Sequence, residues 1–437
     1  MTNELISKEK VSLKMKECGV KDLDSATIRD VVRIANELQD ENNIKFVRME
    51  MGVPGLAPSQ IGINAEIKAA QNNAAQFYPM LEGEKELATQ TSLLIKNFMD
   101  IDLSSKNIAP TVGSMQGAYA AFMAVTACHK EKNAVLFIDP GFPVQKTQMD
   151  VIGKPYYTFD IYDYRGEKLR DKLKSFLDKG DISSIVYSNP NNPTWVCLTD
   201  EELKIIGELA TEYDIIVIED LAYFGMDFRK DYSQPGKAPF IPSVAKYTNN
   251  YILLISSSKV FNYAGQRLGL LCVSDAIANK YYEDLDIRFN AKTLMYALVY
   301  KLIYTLSSGT AHTPQYAVAA IFRAVNEGKM NLLKDAHEYG KRAFLAKKIF
   351  TDGGFRIVYA KDGDQNVGDG FYFTIGYPGF TGSDLAQELI SYGITSITLK
   401  GCGSKKEGLR ACVSQIGQEE MELLKLRIDN FKADHKI

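Results

Sequence analysis

What this sequence lacks already removes several functions. No Cys-x-x-Cys pair occurs among its six cysteines, and its four histidines form no His-Glu-x-x-His, so metal chemistry is not expected. No apolar run approaches the length of a membrane span. The opening residues MTNELISKEKVSLKMKECG are too polar for a signal peptide. No Gly-x-Gly-x-x-Gly follows a strand-like run, which argues against a nicotinamide dehydrogenase. Excess charge is also missing: 51 Lys and Arg meet 54 Asp and Glu, for a formal net charge of −3. That balance gives no electrostatic reason to expect nucleic acid or an anionic membrane. The cysteines are scattered, as small buried hydrophobes in a reducing compartment would be. A soluble cytoplasmic protein is the expectation.

What is present is enough for a large core. A chain of 437 residues, 46% hydrophobic and 24% charged, has an ordinary globular composition and is long enough for two or three compact units. Ile28, Val31, Val32, Ala35 and Leu38 recur at helical spacing and predict a helix over 26–38. MGVPGLAPS then marks an irregular loop. From about 113 to 275, short apolar runs alternate with helical stretches. The runs are AVLFIDPG (134–141), SSIVYSNP (183–190), IIVIED (215–220), YILLISSS (251–258) and LGLLCVS (268–274). Without polar alternation, such runs predict strands covered on both faces, as in a mostly parallel sheet. RGEKLRDKLKSFLDKG supplies a crossover helix, and Thr199 with Glu202 forms a capping-box pattern that opens another.

Polar residues gather at one end of these runs. Asp139, Asn189, Asn192, Asp220 and Ser256 to Lys259 all stand at or just after C-terminal ends, the edge where open α/β sheets bind ligands. Each Asn, Asp or Ser taken singly is also a good turn residue. Turn preference accounts less well for a Lys and an Asp placed there together. Beyond 276 the pattern changes to helices and then to short strands (FRIVYA, GFYFTIGYPG, SITLK, LRACVSQI) interleaved with helices at 383–392 and 418–433. The fold class expected is therefore α/β: a large unit with a mostly parallel sheet flanked by helices, plus a smaller α+β unit completed by the N-terminal helix.

Several motifs in fixed order point further: GSMQGA (113–118), DPGFP (139–143), SNPNNPT (188–194), EDLAY (219–223), SSSK (256–259), GQRLG (265–269) and LRACVS (409–414). Together the chain resembles the fold-type I pyridoxal-phosphate enzymes of the class I/II, aspartate aminotransferase-like group. The resemblance implies a large cofactor domain over 55–315 and a small domain over 316–437 completed by 1–54. It also implies pyridoxal 5′-phosphate as cofactor and an amino acid and a 2-oxo acid as substrates.

Residue by residue, Lys259 matches the lysine that holds the cofactor through its amine. An amine can do this and shuttle a proton once burial and nearby positive charge bring its pKa well below ~10.4. Arg267 matches the phosphate-binding arginine, whose planar fork suits a bidentate contact. Ser256 matches a phosphate-contacting hydroxyl. Ser114, Met115 and Gln116 align with a phosphate-binding turn at a helix start, where N–H groups and the helix dipole favour an anion. Asp220 matches the aspartate that keeps the cofactor's ring nitrogen protonated, and Tyr223 and Asn192 the groups that hydrogen-bond its ring oxygen. Phe142 stands where an aromatic stacks on the ring. Arg410 matches the arginine for the substrate α-carboxylate, and a charge within an apolar strand does need such a partner. Gly52 resembles the glycine of the loop over the substrate. Tyr78 resembles a tyrosine that reaches the neighbouring subunit's phosphate, which implies a homodimer.

The sequence departs from the family in two places. Trp195 stands where the family has the glycine of Asn-Pro-Thr-Gly, a position that often needs positive φ. Either the turn differs or the indole lines the site. No match carries the family's dicarboxylate-selecting arginine onto Arg288, and His312 reads as structural. Amino-group transfer is the leading function. β-Elimination from cysteine-like substrates, a C–S lyase activity, would need the same residues. A non-catalytic cofactor-binding regulator is disfavoured, because only about 50 residues precede the loop and they carry no basic helix-turn-helix pattern.

Overall fold

The computed structural model describes residues 3–435. At its centre lies a sheet of seven strands. They are β1 (Ile108–Val112), β2 (Ala134–Asp139), β3 (Tyr156–Asp160), β4 (Ile182–Ser188), β5 (Ile216–Leu221), β6 (Tyr251–Ser256) and β7 (Leu268–Val273). The order across the sheet is β1-β7-β6-β5-β4-β2-β3. All neighbours run parallel except β7, which is antiparallel to both β1 and β6.

Alternation along each strand explains the unbroken apolar runs. Leu136, Ile138, Val217, Leu253 and Ile255 enter one core cluster. Val135, Phe137, Ile218, Ile252 and Leu254 enter another on the opposite face. Both faces are covered, so neither needs polar residues. The five apolar runs all become strands, in agreement with the mostly parallel sheet expected. The outer strands β1 and β3 are shorter on apolar signal: Pro110 interrupts β1, and β3 begins YYT, none of them fully buried. Proline is tolerated at an edge because one side of the strand makes no ladder.

Helices named in chain order are α1 (Lys8–Glu17), α2 (Ile28–Asn42), α3 (Gln60–Gln71), α4 (Lys85–Met99), α5 (Gly113–Val125), α6 (Pro143–Ile152), α7 (Lys168–Leu177), α8 (Asp200–Glu212), α9 (His312–Asn326), α10 (His337–Asp352), α11 (Gly382–Ser391) and α12 (Gln418–Asp434). The Thr199–Glu202 capping box opens α8, and Thr27 with Asp30 forms another at α2.

A second sheet of four short antiparallel strands has the order β10-β11-β9-β8, with β8 Arg356–Ile357, β9 Tyr372–Gly376, β10 Ile397–Thr398 and β11 Leu409–Cys412. Its third core cluster draws on both ends of the chain: Ile6, Val11, Ile34 and Leu38 bury against Phe350, Phe373, Leu389 and Phe431. Val47–Arg48 pairs in parallel with Ile394–Thr395, and the Asn3 amide donates to Asp434 Oδ2 at 2.6 Å. The expected boundary at 315/316 falls inside α9. Ala317, Val318, Ile321, Phe322 and Val325 of that helix belong to the core cluster that also takes in one face of the large sheet.

Candidate active site

A cavity of about 570 Å³ opens where the C-terminal ends of the parallel strands meet the smaller sheet. β6 and β7 form a hairpin, so the connection between them carries both Lys259 and Arg267 to this edge. Lys259 lies in the cavity wall, and its Nζ donates to the Gly52 carbonyl. Burial lowers its amine from 10.5 to about 8; Arg410 and Arg267 add to the shift and Asp220 opposes it.

Asp220, at the end of β5, faces the same space. Burial raises its carboxyl from 3.8 to about 6. Two donors hold it from rising further: the Ala222 amide at 3.1 Å and Gln145 Nε2 at 2.8 Å. Among the described residues no cation is in hydrogen-bond contact with it, and Lys259 acts on it through space.

An anion cup lies at the start of α5. Gly113 has φ +65 and its N–H donates to the Arg267 carbonyl at 2.8 Å. A Cβ there would strike the Arg267 guanidinium, so glycine is what lets the arginine lie over the helix start. Ser114 and Met115 line the cavity beside it. Ser256 Oγ accepts the Ser258 amide at 3.1 Å, which leaves its own proton to donate toward the cup.

Arg410 projects from β11 and is only 1% exposed. Its Nη2 donates to the Glu50 carbonyl and Nη1 to Asn192 Oδ1 at 3.3 Å, while Nε has no partner. No carboxylate pairs with it among the described residues. A buried guanidinium left this way is a binding site for an anion in all but occupant. Phe142, Gly52 and Tyr223 complete the wall, with the Tyr223 hydroxyl donating to that of Tyr372 at 2.9 Å.

A family model described as aminotransferase class I and II matches residues 45–428. The chain belongs to this family. It is 26% identical to an aspartate aminotransferase of Sulfolobus acidocaldarius over 57% of this chain and 60% of that one. With an LL-diaminopimelate aminotransferase of Aquifex aeolicus it shares 26% over 55% of this chain and 59% of the relative. These alignments thus span about three fifths of the relatives' length. A longer one, to an LL-diaminopimelate aminotransferase of Moorella thermoacetica, is 23% identical over 87% of this chain and 90% of that one. Among solved structures, an alanine aminotransferase from Pyrococcus furiosus superposes with a TM-score of 0.76 at 20% identity, covering 93% of this chain and 97% of that one. The fold is that of the pyridoxal-phosphate aminotransferases.

Pyridoxal 5′-phosphate, the family's cofactor, fits the groups present. The cup at Gly113 would take the phosphate, Asp220 the ring nitrogen and Lys259 the carbonyl carbon. One contact expected within the chain is not in the cavity wall. Gln116 turns its side chain elsewhere: Oε1 accepts the Val112 amide at 2.8 Å and Nε2 donates to Ser307 Oγ at 2.6 Å. It caps its own helix, whose first residue has no side-chain cap. Tyr78 is 90% exposed on a loop away from the cavity.

Trp195 keeps the left-handed backbone of the glycine it replaces, at φ +64. Its indole does not line the cavity. It is fully buried behind it, edge-on to Tyr223 at 5.2 Å and Tyr372 at 6.2 Å between ring centres. Gly370 makes the room, since a Cβ there would overlap the indole. Arg288 is exposed on a short helix outside the cavity. His312 bonds the Ala74 carbonyl at 2.8 Å and Glu84 at 2.7 Å, a structural tie.

The motifs did not disclose three contributors. Gln145 approaches Asp220 from the first turn of α6, Tyr372 enters from β9, and the segment from Asp24 to Arg29 lines the cavity. Only Gln145 had a local signal, its place just after DPGFP.

Proposed function

We propose that the protein is a pyridoxal-phosphate-dependent aminotransferase that moves an amino group between an amino acid and a 2-oxo acid. Arg410 carries this reading. A fully buried guanidinium without an acid partner, in the same cavity as a lysine amine lowered to about 8, suits an α-amino acid bound by its carboxylate with its amine toward Lys259. The cofactor, when bound, supplies an electron-withdrawing ring that stabilises negative charge at the substrate's α-carbon. Asp220 keeps that ring's nitrogen protonated. Arg410 and Asn192 would orient the carboxylate, and Lys259 Nζ is placed to take the substrate's α-proton and hold it for return.

A homodimer is part of the reading. His312 ties down both sides of the loop carrying Phe77, Tyr78 and Met80, which are 62%, 90% and 70% exposed. An apolar tip held out in water suits a second copy of the chain. Six free cysteines suit the cytoplasm.

The test is a spectrum followed by two assays. Protein supplied with pyridoxal phosphate should show a visible absorption band that Lys259→Ala abolishes; no band sinks the reading. Amino transfer to 2-oxoglutarate or pyruvate should then exceed release of pyruvate and ammonia from cystathionine. The reverse result would make the protein a C–S lyase.

A further inference from the structure

Tyr372 stands at a junction that the proposed reaction does not use. It starts β9, is 2% exposed and faces the cavity. Three contacts converge on it. Its hydroxyl accepts from Tyr223 at 2.9 Å, with the two rings edge-to-face at 5.6 Å. The Arg410 guanidinium carbon lies 4.5 Å from its ring centre. Its hydroxyl also fills the space a side chain at 52 would occupy, directly under the loop whose Gly52 carbonyl receives Lys259. Trp195 and Gly370 fix the ring from behind, and this explains what the unusual tryptophan does: it braces both tyrosines at once.

We infer that Tyr372 is a positioning residue that couples the carboxylate arginine to the ring-oxygen tyrosine and sets how strongly Tyr223 donates to the cofactor. The inference rests on the aminotransferase reading, in which Tyr223 donates to the cofactor's ring oxygen. A phenol has one proton. Once Tyr223 directs its own toward the cofactor, its oxygen becomes an acceptor, and the Tyr372 hydroxyl is the group 2.9 Å away that can donate to it. A donor whose oxygen itself accepts a hydrogen bond is polarised and donates more strongly. Burial raises both phenols well above their ordinary value, so both keep their protons to form such a chain. A stronger donor stabilises negative charge on the ring oxygen. The nitrogen joining Lys259 to the cofactor then loses its proton at lower pH. The same ring lies on Arg410, so carboxylate binding and ring-oxygen bonding share one side chain.

The experiment is a pH titration of the visible absorption band in the cofactor-loaded protein. Tyr372→Phe keeps the ring over Arg410 and removes only the hydroxyl. The midpoint should rise by roughly 0.3–1 unit, the scale of a partly cooperative hydrogen bond. KM for the amino acid should change less than two-fold. In a Tyr223→Phe background, Tyr372→Phe should add no further shift. Trp195→Phe, which keeps both hydroxyls but loosens their brace, should shift the midpoint less than Tyr372→Phe does. An unchanged or lowered midpoint in Tyr372→Phe overturns the inference, as does a full shift in the Tyr223→Phe background or an equal shift from Trp195→Phe. Absence of any band in the wild-type protein overturns the aminotransferase reading, and the inference with it.

Discussion

Gln145 Nε2 stands 2.8 Å from Asp220 Oδ2, although one residue opens α6 and the other ends β5. Pro143 at the first position of α6 starts the helix at once after Phe142, and the first turn brings the amide to the end of β5, two strands from β2. The amide favours the ionised carboxylate at a place where burial has pushed it up to about 6.

Gln145→Met should therefore raise Asp220 further. A hydrogen bond to a charged group is worth about 1.5–3 kcal/mol, or roughly one to two pH units. Cofactor affinity of the apo-protein, measured against pH, should fall away at higher pH than in the wild type by about that interval. An unshifted profile would mean that the Ala222 amide alone sets the carboxylate.

Arg410→Met should separate activity from stability. The buried cation has no acid partner among the described residues, and the desolvation it suffers opposes the bonds it donates to Glu50 and Asn192, so its removal should change the melting temperature little. The loss of a charge-paired contact to substrate costs about 2–5 kcal/mol, so kcat/KM for an amino acid should fall at least thirty-fold by that estimate. A parallel loss of stability would instead make Arg410 a structural residue.

Glu219 points away from Asp220 to the other face of the sheet, fully buried, where it accepts from Ser243 Oγ at 2.5 Å and Tyr187 at 3.2 Å. Burial lifts its carboxyl from 4.5 to about 7. A carboxyl whose folded value is raised binds its proton more tightly in the folded state. Its contribution is fully present below pH 4.5 and is lost as pH rises through 7. Denaturant unfolding at pH 5 and pH 8.5 should show the wild type losing on the order of 3 kcal/mol relative to Glu219→Gln. Equal slopes for the two proteins would place the proton elsewhere.

Trp195 and Gly370 should behave as one unit. Gly370→Ala forces the indole out of its slot and should cost about 1–3 kcal/mol. Trp195→Gly relieves the positive φ but empties a large buried volume, for a cost of about 3–5 kcal/mol. In the double variant the new methyl enters vacated space, so the two costs should not add. Additivity in denaturant unfolding would show that the indole and the glycine are independent.

Much of this could be read in the chain because short-range physics decides it. Strands β2, β4, β5, β6 and β7 are buried on both faces and leave apolar runs. Lys259, Asp220 and Asn192 follow those runs directly, and Arg267 lies in the same hairpin connection as Lys259. Edge strands β1 and β3 left no such trace, one holding Pro110 and the other only half buried. Tyr372 looked like an ordinary strand aromatic, because its contacts with Tyr223, Gly52 and Arg410 span large sequence separations. The side chain of Gln116 followed a local rule, helix capping, over the motif it sits in. Trp195 read as a misfit until Gly370, remote in sequence, supplied the space.

The third core cluster also bears on synthesis. Ile6, Val11, Ile34 and Leu38 leave the ribosome long before Phe373, Leu389 and Phe431, the side chains that cover them. Until those later side chains are made this stretch presents uncovered apolar surface, the kind a holding chaperone binds. Asp24 to Arg29, which line the cavity, belong to that stretch. The strands of the large sheet have all been made once Val273 is added, whereas Arg410, which lines the same cavity, comes only with β11.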